Sequence, residues 1–218
     1  MLDKKLDIIL VFLTLIFLTI GLITVDSNGY ESMLHSLSLG FVVSSIFYFL
    51  VVYIPEYKRR KMLHESLKSQ YLQFKISCIN TFLIISNSQE HSDREELLNL
   101  SEFRHYFKSE NKNGENRWYA VANSLQESEY YLKEVIYYLQ MLNEEIRYTR
   151  NAINLNDPEV FEFLNRLSQL IARMESTERK YDDIKSLCGF LWSIFTGWDW
   201  AKGYSESDII KDIIGRAK

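Results

Sequence analysis

Proline is nearly missing from this chain, with two residues in 218, and glycine and cysteine are scarce at eight and two. So few breakers exclude a turn-rich sheet protein and, beside abundant Leu, Ile, Glu, Lys and Tyr, predict long helices. Cys78 and Cys188 stand far apart with no CxxC companion, which argues against a zinc ribbon or disulfide framework and predicts reduced core thiols. A net charge of -4 offers no excess of positive charge for gripping DNA. There is no Gly-rich phosphate loop, HExxH, GxSxG or GxGxxG, and His35, His64, His91 and His105 lack metal-ligand spacing. No catalytic residue, metal site or cofactor is therefore assigned.

What the chain does have is two long uncharged runs. Ile8 to Val25 is dominated by Ile, Leu, Phe and Val, and Ser36 to Ile54 is followed by Pro55, Glu56 and the basic cluster Lys58, Arg59, Arg60 and Lys61. At 1.5 Å per residue the second run gives about 29 Å of helix, close to the hydrocarbon thickness of a bilayer. Lys4 and Lys5 precede the first run, and the connection from Asp26 to His35 holds Asp26 and Glu31 but no Lys or Arg. The positive-inside rule then puts both termini in the cytoplasm and a short loop outside, with anionic lipid attracting Lys58 to Lys61. The first run is long for a signal-peptide core, lacks an A-x-A site, and is followed by a second span, so cleavage is not expected.

The expected architecture is all-α: a transmembrane helical hairpin over residues 1–57, with spans at about 7–25 and 36–55, then a cytoplasmic bundle of long antiparallel helices over 58–218. Ser36, Gly40 and Ser44 recur every four residues in the second span. Small faces of this kind let membrane helices approach, either the first span of the same chain or another subunit. Neither uncharged run, Ile8 to Val25 or Ser36 to Ile54, contains an Asp, Glu, Lys, Arg or His, so an intramembrane proton relay has nothing to carry it.

Beyond Pro55, Leu63, Leu67, Phe74, Cys78, Phe82 and Ile85 form a helical stripe, with Lys68 and Lys75 expected mostly outside it. Asn87 to Asp93 breaks this helix. Ser92 and Glu95 read as a capping box for a short helix through Leu97, Leu98, Leu100, Phe103 and Phe107. From Trp118 the positions 118, 121, 125, 128, 132, 135, 139, 142, 146, 149 and 153 alternate in steps of three and four, predicting one helix of about 36 residues. Asp157 as N-cap and Pro158 at the first helical position start a second long helix, with a seam through Val160, Leu164, Leu167, Ile171, Met174, Tyr181, Ile184, Cys188, Leu191 and Phe195 that slips near Thr177. Glu144 and Glu145, with Tyr130, Tyr131, Tyr137 and Tyr138, read as solvated faces and bundle shoulders. At the end, Trp192, Phe195, Trp198, Trp200 and Tyr204 cluster around Gly197, a C-cap, and precede a terminal amphipathic helix. That cluster suits packing over one end of the bundle, and an aromatic cage for a nucleobase or quaternary amine would use the same residues.

Arg59 and His64 fit Arg-x4-His, which resembles the motif of the all-helical ribonucleases with a higher-eukaryote and prokaryote nucleotide-binding fold. That resemblance implies RNA cleavage by these two residues in a dimer cleft, although Arg60 stands where the family has a polar residue. In plan, the whole chain resembles the two-span membrane effectors of bacterial defence systems, most closely over Tyr53 to Lys61. The resemblance implies the bacterial inner membrane, oligomerisation through spans and helical domain, a cytoplasmic trigger that is sometimes a cyclic nucleotide, and membrane disruption. The expected function is a non-enzymatic, homo-oligomeric membrane effector or pore with a cytoplasmic sensing domain. Its expected partners are the lipid bilayer, other copies of the chain, and a cytoplasmic protein or small nucleotide. The alternatives are a membrane-tethered scaffold for a cytoplasmic protein and a tethered ribonuclease.

Overall fold

The computed structural model describes residues 4–24, 30–89, 94–152, 157–199 and 203–217. The chain is mostly helical and divides into two compact units, Met1–Met62 and Leu63–Lys218.

In the first unit, α1 (Lys4–Ile23) packs against α2 (Tyr30–Tyr48). Their closest approach uses small side chains: a Cβ on Gly21 would lie 3.6 Å from that of Ser38, and Ser38 and Ser45 are buried. Phe17 stacks on Phe41 with ring centroids 4.4 Å apart, and His35 Nδ1 donates to the Gly21 carbonyl at 2.9 Å. Of the expected outer loop, Asp26 to His35, residues 26–29 lie outside the described residues, and residues 30–35 are not loop but the first turns of α2. The second apolar run ends at Pro55 but the helix does not. A π-helical turn, Phe49–Tyr53, leads into α3 (Ile54–Ile85), and the Ile54 N–H reaches back to the Phe49 carbonyl. The wider turn just before Pro55 absorbs a residue that cannot donate a backbone hydrogen bond, so the helix runs on. One helix, Met33–Ile85, is long and apolar enough to cross a membrane, and Ile8–Ile23 is a shorter apolar helix.

The second unit is an all-α core built on the rest of α3, whose predicted stripe from Leu63 to Ile85 is buried throughout. A single 3-10 turn, Glu96–Leu98, seats Leu97, and α4 (Leu100–Lys108) buries Phe103 and Phe107. Its N-cap is Asn99, which accepts from Ser101 and Glu102 N–H groups; Ser92 of the expected capping box lies outside the described residues. The long helix expected from Trp118 is two helices, α5 (Arg117–Glu127) and α6 (Glu129–Ala152), parted at Ser128, which is extended. The register survives the break, because Val121, Leu125, Leu132, Val135, Leu139, Leu142, Ile146 and Thr149 are all buried.

The next seam is likewise divided. Capped by Asp157 and opened by Pro158 as expected, α7 (Pro158–Met174) ends where the spacing slips, and α8 (Tyr181–Thr196) begins anew; Tyr181 is exposed, not core. Hydrogen bonds from Arg150 to Asn165 and from Asn143 to Glu175 make α6 and α7 an antiparallel pair, and Ser168 Oγ donates to Asn143 Oδ1 at 2.6 Å. Phe82 sits among Phe103, Phe107, Phe195 and Trp118, with centroids 5.4–6.4 Å away. Gly197 stops α8 in the left-handed region, at φ 66. A two-residue hairpin, β1 (Trp198–Asp199) with β2 (Gly203–Tyr204), then leads to α9 (Ile209–Arg216).

Candidate functional site

On α3, His64, Lys68, Tyr71 and Lys75 follow in steps of four, three and four, which places them along one helix face beside the apolar stripe. The facing element is α9, whose Ile210 and Ile214 are buried and whose N-cap is Asp208. Together they line a cleft of about 900 Å³, with Glu65, Lys68, Lys211 and Asp212 exposed around it.

The floor of this cleft is polar. Lys75 is 3 % exposed and gives its ammonium group to Asp208 Oδ2 at 3.0 Å and to the Leu98 carbonyl at 3.3 Å. The Tyr71 hydroxyl lies 2.9 Å from both carboxylate oxygens of Asp208, and the Lys211 N–H caps onto Oδ1. Asp208 thus closes three accounts at once: a buried cation, a buried phenol and the start of a helix. Burial first, and then the charge and hydrogen bond of Asp208, push the Tyr71 hydroxyl well above its usual range. The Lys75 ammonium also lies 5.6 Å from the Phe195 ring centroid, a distance at which the ring face attracts a cation. At the far end, Arg216 pairs with Asp157 and Glu159, tying the last turn of α9 to the first turn of α7.

His64 is buried beside this network, and its Nε2 donates to the Ile214 carbonyl at 3.0 Å. Arg59, the other half of Arg-x4-His, is exposed and lies 3.6 Å from Glu56. Five positions along an α-helix turn two side chains about 140° apart, so the spacing by itself does not put them on one face. Of the basic cluster, Lys58, Arg59 and Lys61 are exposed and Arg60 is half-buried on Glu56 at 2.9 Å. Ser36, Gly40 and Ser44 are exposed on α2, and a Cβ on Gly40 would meet nothing within 4 Å; the serines packed towards α1 are Ser38 and Ser45.

Lys75, expected mostly outside the apolar stripe, is buried beside it. The missed signal is the polar series 64, 68, 71, 75, which repeats with helical period next to the apolar one. Cys78 and Cys188 are free and buried, and burial drives both thiols upward, Cys188 to about 12, so they are not thiolates poised for attack. No cluster of three metal-ligating side chains occurs among the described residues.

A second hollow, about 1020 Å³, lies along α8 and is walled by Trp118, Trp192 and Trp198. Trp192 packs on Trp118 at 5.1 Å and on Phe103 at 6.2 Å, so this part of the aromatic cluster covers the core. Trp198 lies 4.7 Å from Tyr204, whose ring is faced by Arg104 and Lys108 at 4.4 and 4.8 Å, while Trp200 falls outside the described residues. The cations that an aromatic cage would bind are here supplied in part by the chain itself. Compared with protein-family models, curated proteins and solved structures, the chain matches none of them.

Proposed function

We propose that this chain is a membrane-anchored, homo-oligomeric effector without enzymatic activity. In this reading α1 and α2 cross the inner membrane of a bacterium as a hairpin with both ends in the cytoplasm, and the second unit receives a cytoplasmic trigger. The observation that carries it is the outward direction of the apolar side chains. Ile8, Phe12, Leu22, Leu37, Phe47 and Leu50 are all exposed, and only 11 % of the most apolar window of Met33–Ile85 is buried. A core helix of a soluble protein hides such side chains, whereas a span turns them to lipid. The cleft between α3 and α9 is the place we assign to the trigger, a small nucleotide or a segment of a protein partner. It is large enough for either, and its exposed Lys68 and Lys211 offer charge to an anion.

The test is the mass of the detergent-solubilised full-length protein, corrected for bound detergent, followed by dye release from liposomes. A closed assembly of several subunits with leakage supports the effector. A monomer that leaves vesicles sealed favours a tethered scaffold instead. The exposed Ser36, Gly40 and Ser44 face supplies a variant: Gly40→Leu has room in the single chain, so it lowers the assembly size if that face joins subunits, and unchanged mass removes the face from the contact.

A further inference from the structure

The side of α6 that faces away from the core mixes charged residues with a row of large aromatic and apolar ones, where a solvated helix is expected to be polar throughout. Six of its exposed positions, Tyr130, Lys133, Tyr137, Met141, Glu144 and Tyr148, run in steps of three, four, four, three and four. Four of these six are Tyr or Met, exposed by 66 % at Tyr130, 54 % at Tyr137, 37 % at Met141 and 59 % at Tyr148. Tyr131 and Tyr138 pack against the core as shoulders, so the exposed tyrosines are the other member of each pair. Aromatic residues and Met are enriched at the centres of protein interfaces.

The stripe has a second property, which is its symmetry. It reads alike from either end about Leu139: Tyr130 mirrors Tyr148, Tyr137 mirrors Met141, and Lys133 mirrors Glu144 to within one residue. Outside it, Glu129 mirrors Arg147 to within two residues, about 3 Å of helix and within reach of long side chains. The charges invert under this reflection while the apolar groups repeat. The eleven-residue spacing of Tyr130 to Met141, Lys133 to Glu144 and Tyr137 to Tyr148 also suits nearly straight helices lying side by side.

We infer that α6 is a self-complementary docking surface for a second copy of this chain, paired antiparallel about Leu139. Lys133, which lies 2.6 Å from Glu129 on the same exposed surface in the single chain, meets Glu144 of the other copy in the pair, the tyrosines form the layers between, and the symmetry is that of an isologous contact. A seam about 27 Å long and one helix wide falls short of the roughly 800 Å² per partner of standard interfaces. The contact is therefore a weak one that acts between chains already held close. It deepens the homo-oligomer of the proposed function by naming one contact within it.

The experiment uses full-length protein in detergent with two separately purified variants, Lys133→Cys and Glu144→Cys, mixed under reduction and then oxidised. The native thiols are buried and the parent protein serves as the background. Antiparallel pairing yields the mixed 133–144 disulfide and little self-linkage, since like positions lie about 15–18 Å apart along the axis. In a second pair, Tyr137→Cys with Met141→Cys, the charge reversal Lys133→Glu lowers the mixed disulfide about five-fold, and adding Glu144→Lys restores it. Self-linkage of Lys133→Cys overturns the inference, as does indifference to charge reversal. An oligomer by mass with no 133–144 linkage defeats this contact and leaves the proposed assembly standing, while a monomer by mass defeats both.

Discussion

Lys75 is the residue whose environment departs most from what its type suggests. A buried ammonium is tolerated because Asp208 and the Leu98 carbonyl replace its water, and the exchange becomes costly when one member is removed. Lys75→Met leaves Asp208 with only Tyr71 and the helix N-cap to satisfy it. The expected loss is about 3 kcal/mol, or about 10 °C in Tm, read by thermal unfolding. Asp208→Asn keeps the capping oxygen, so adding it to Lys75→Met should recover part of the loss; strictly additive losses would show that the two groups do not interact. Titration acts in the same core. The folded pKa of Cys188 is raised from 9.0 to about 12, so the folded state holds its proton more tightly than the unfolded chain does. That contribution is complete below pH 9 and is lost as pH rises from 9 to 12, with Tyr71 and Cys78 shifted in the same direction. Urea unfolding across this range should show stability falling with pH, and Cys188→Ala should lower stability near neutrality while making that fall shallower. The buried thiols were legible, as members of the apolar seams, but the buried ammonium was not, since burial of Lys75 depends on Asp208, 133 positions away, and local periodicity holds no information about so distant a partner.

Among the elements, faces were legible and ends were not. Most positions of the seams through Leu63–Ile85, Val121–Thr149 and Val160–Phe195 are buried, because helical period is written directly in the spacing of apolar residues, but the buried faces are wider than the seams and also take in Tyr71, Ile79, Leu83, Leu187 and Ile194. The breaks at Ser128 and after Met174 interrupt backbone hydrogen bonding without shifting most of the buried set, and so leave little trace in that spacing. Where a break has its own chemistry it could be read, as with Asp157, Pro158 and Gly197. Gly197 joins two demands: a left-handed backbone, and a Cβ position only 3.0 Å from Leu100 Cδ1 and 3.3 Å from the Ser205 carbonyl oxygen. Gly197→Ala is expected to cost about 2 kcal/mol. Gly189, in the exposed middle of α8, has an open Cβ position, and Gly189→Ala should stabilise by about 0.5–1 kcal/mol. The opposite signs, measured by chemical denaturation, separate the two roles of glycine within one helix.

For the whole molecule, the distribution of apolar surface decides what depends on what. The buried hydrophobic cluster begins at Leu67 and ends at Ala217, wholly inside the second unit, and every side chain of the Lys75 network belongs to that unit as well. The exposed Ile, Leu, Val and Phe of α1 and α2 belong to the first. In the sequence the same contrast appears as uncharged runs set apart from amphipathic ones. The cleft itself was not readable, because its two walls, α3 and α9, come from opposite ends of the sequence of the second unit. A fragment beginning at Lys58 keeps one turn of α3 ahead of Leu63 and retains the entire core. It is expected to remain soluble without detergent, to be strongly helical by circular dichroism, and to melt in one cooperative transition, as a unit of about 160 residues with its own core does. The Lys75→Met loss should be of the same size in the fragment as in the full chain. Aggregation of the fragment, or a non-cooperative melt, would instead make the apolar helices part of the folding unit, and α1 and α2 would then have to be treated as structural partners of the bundle rather than as the anchor we propose.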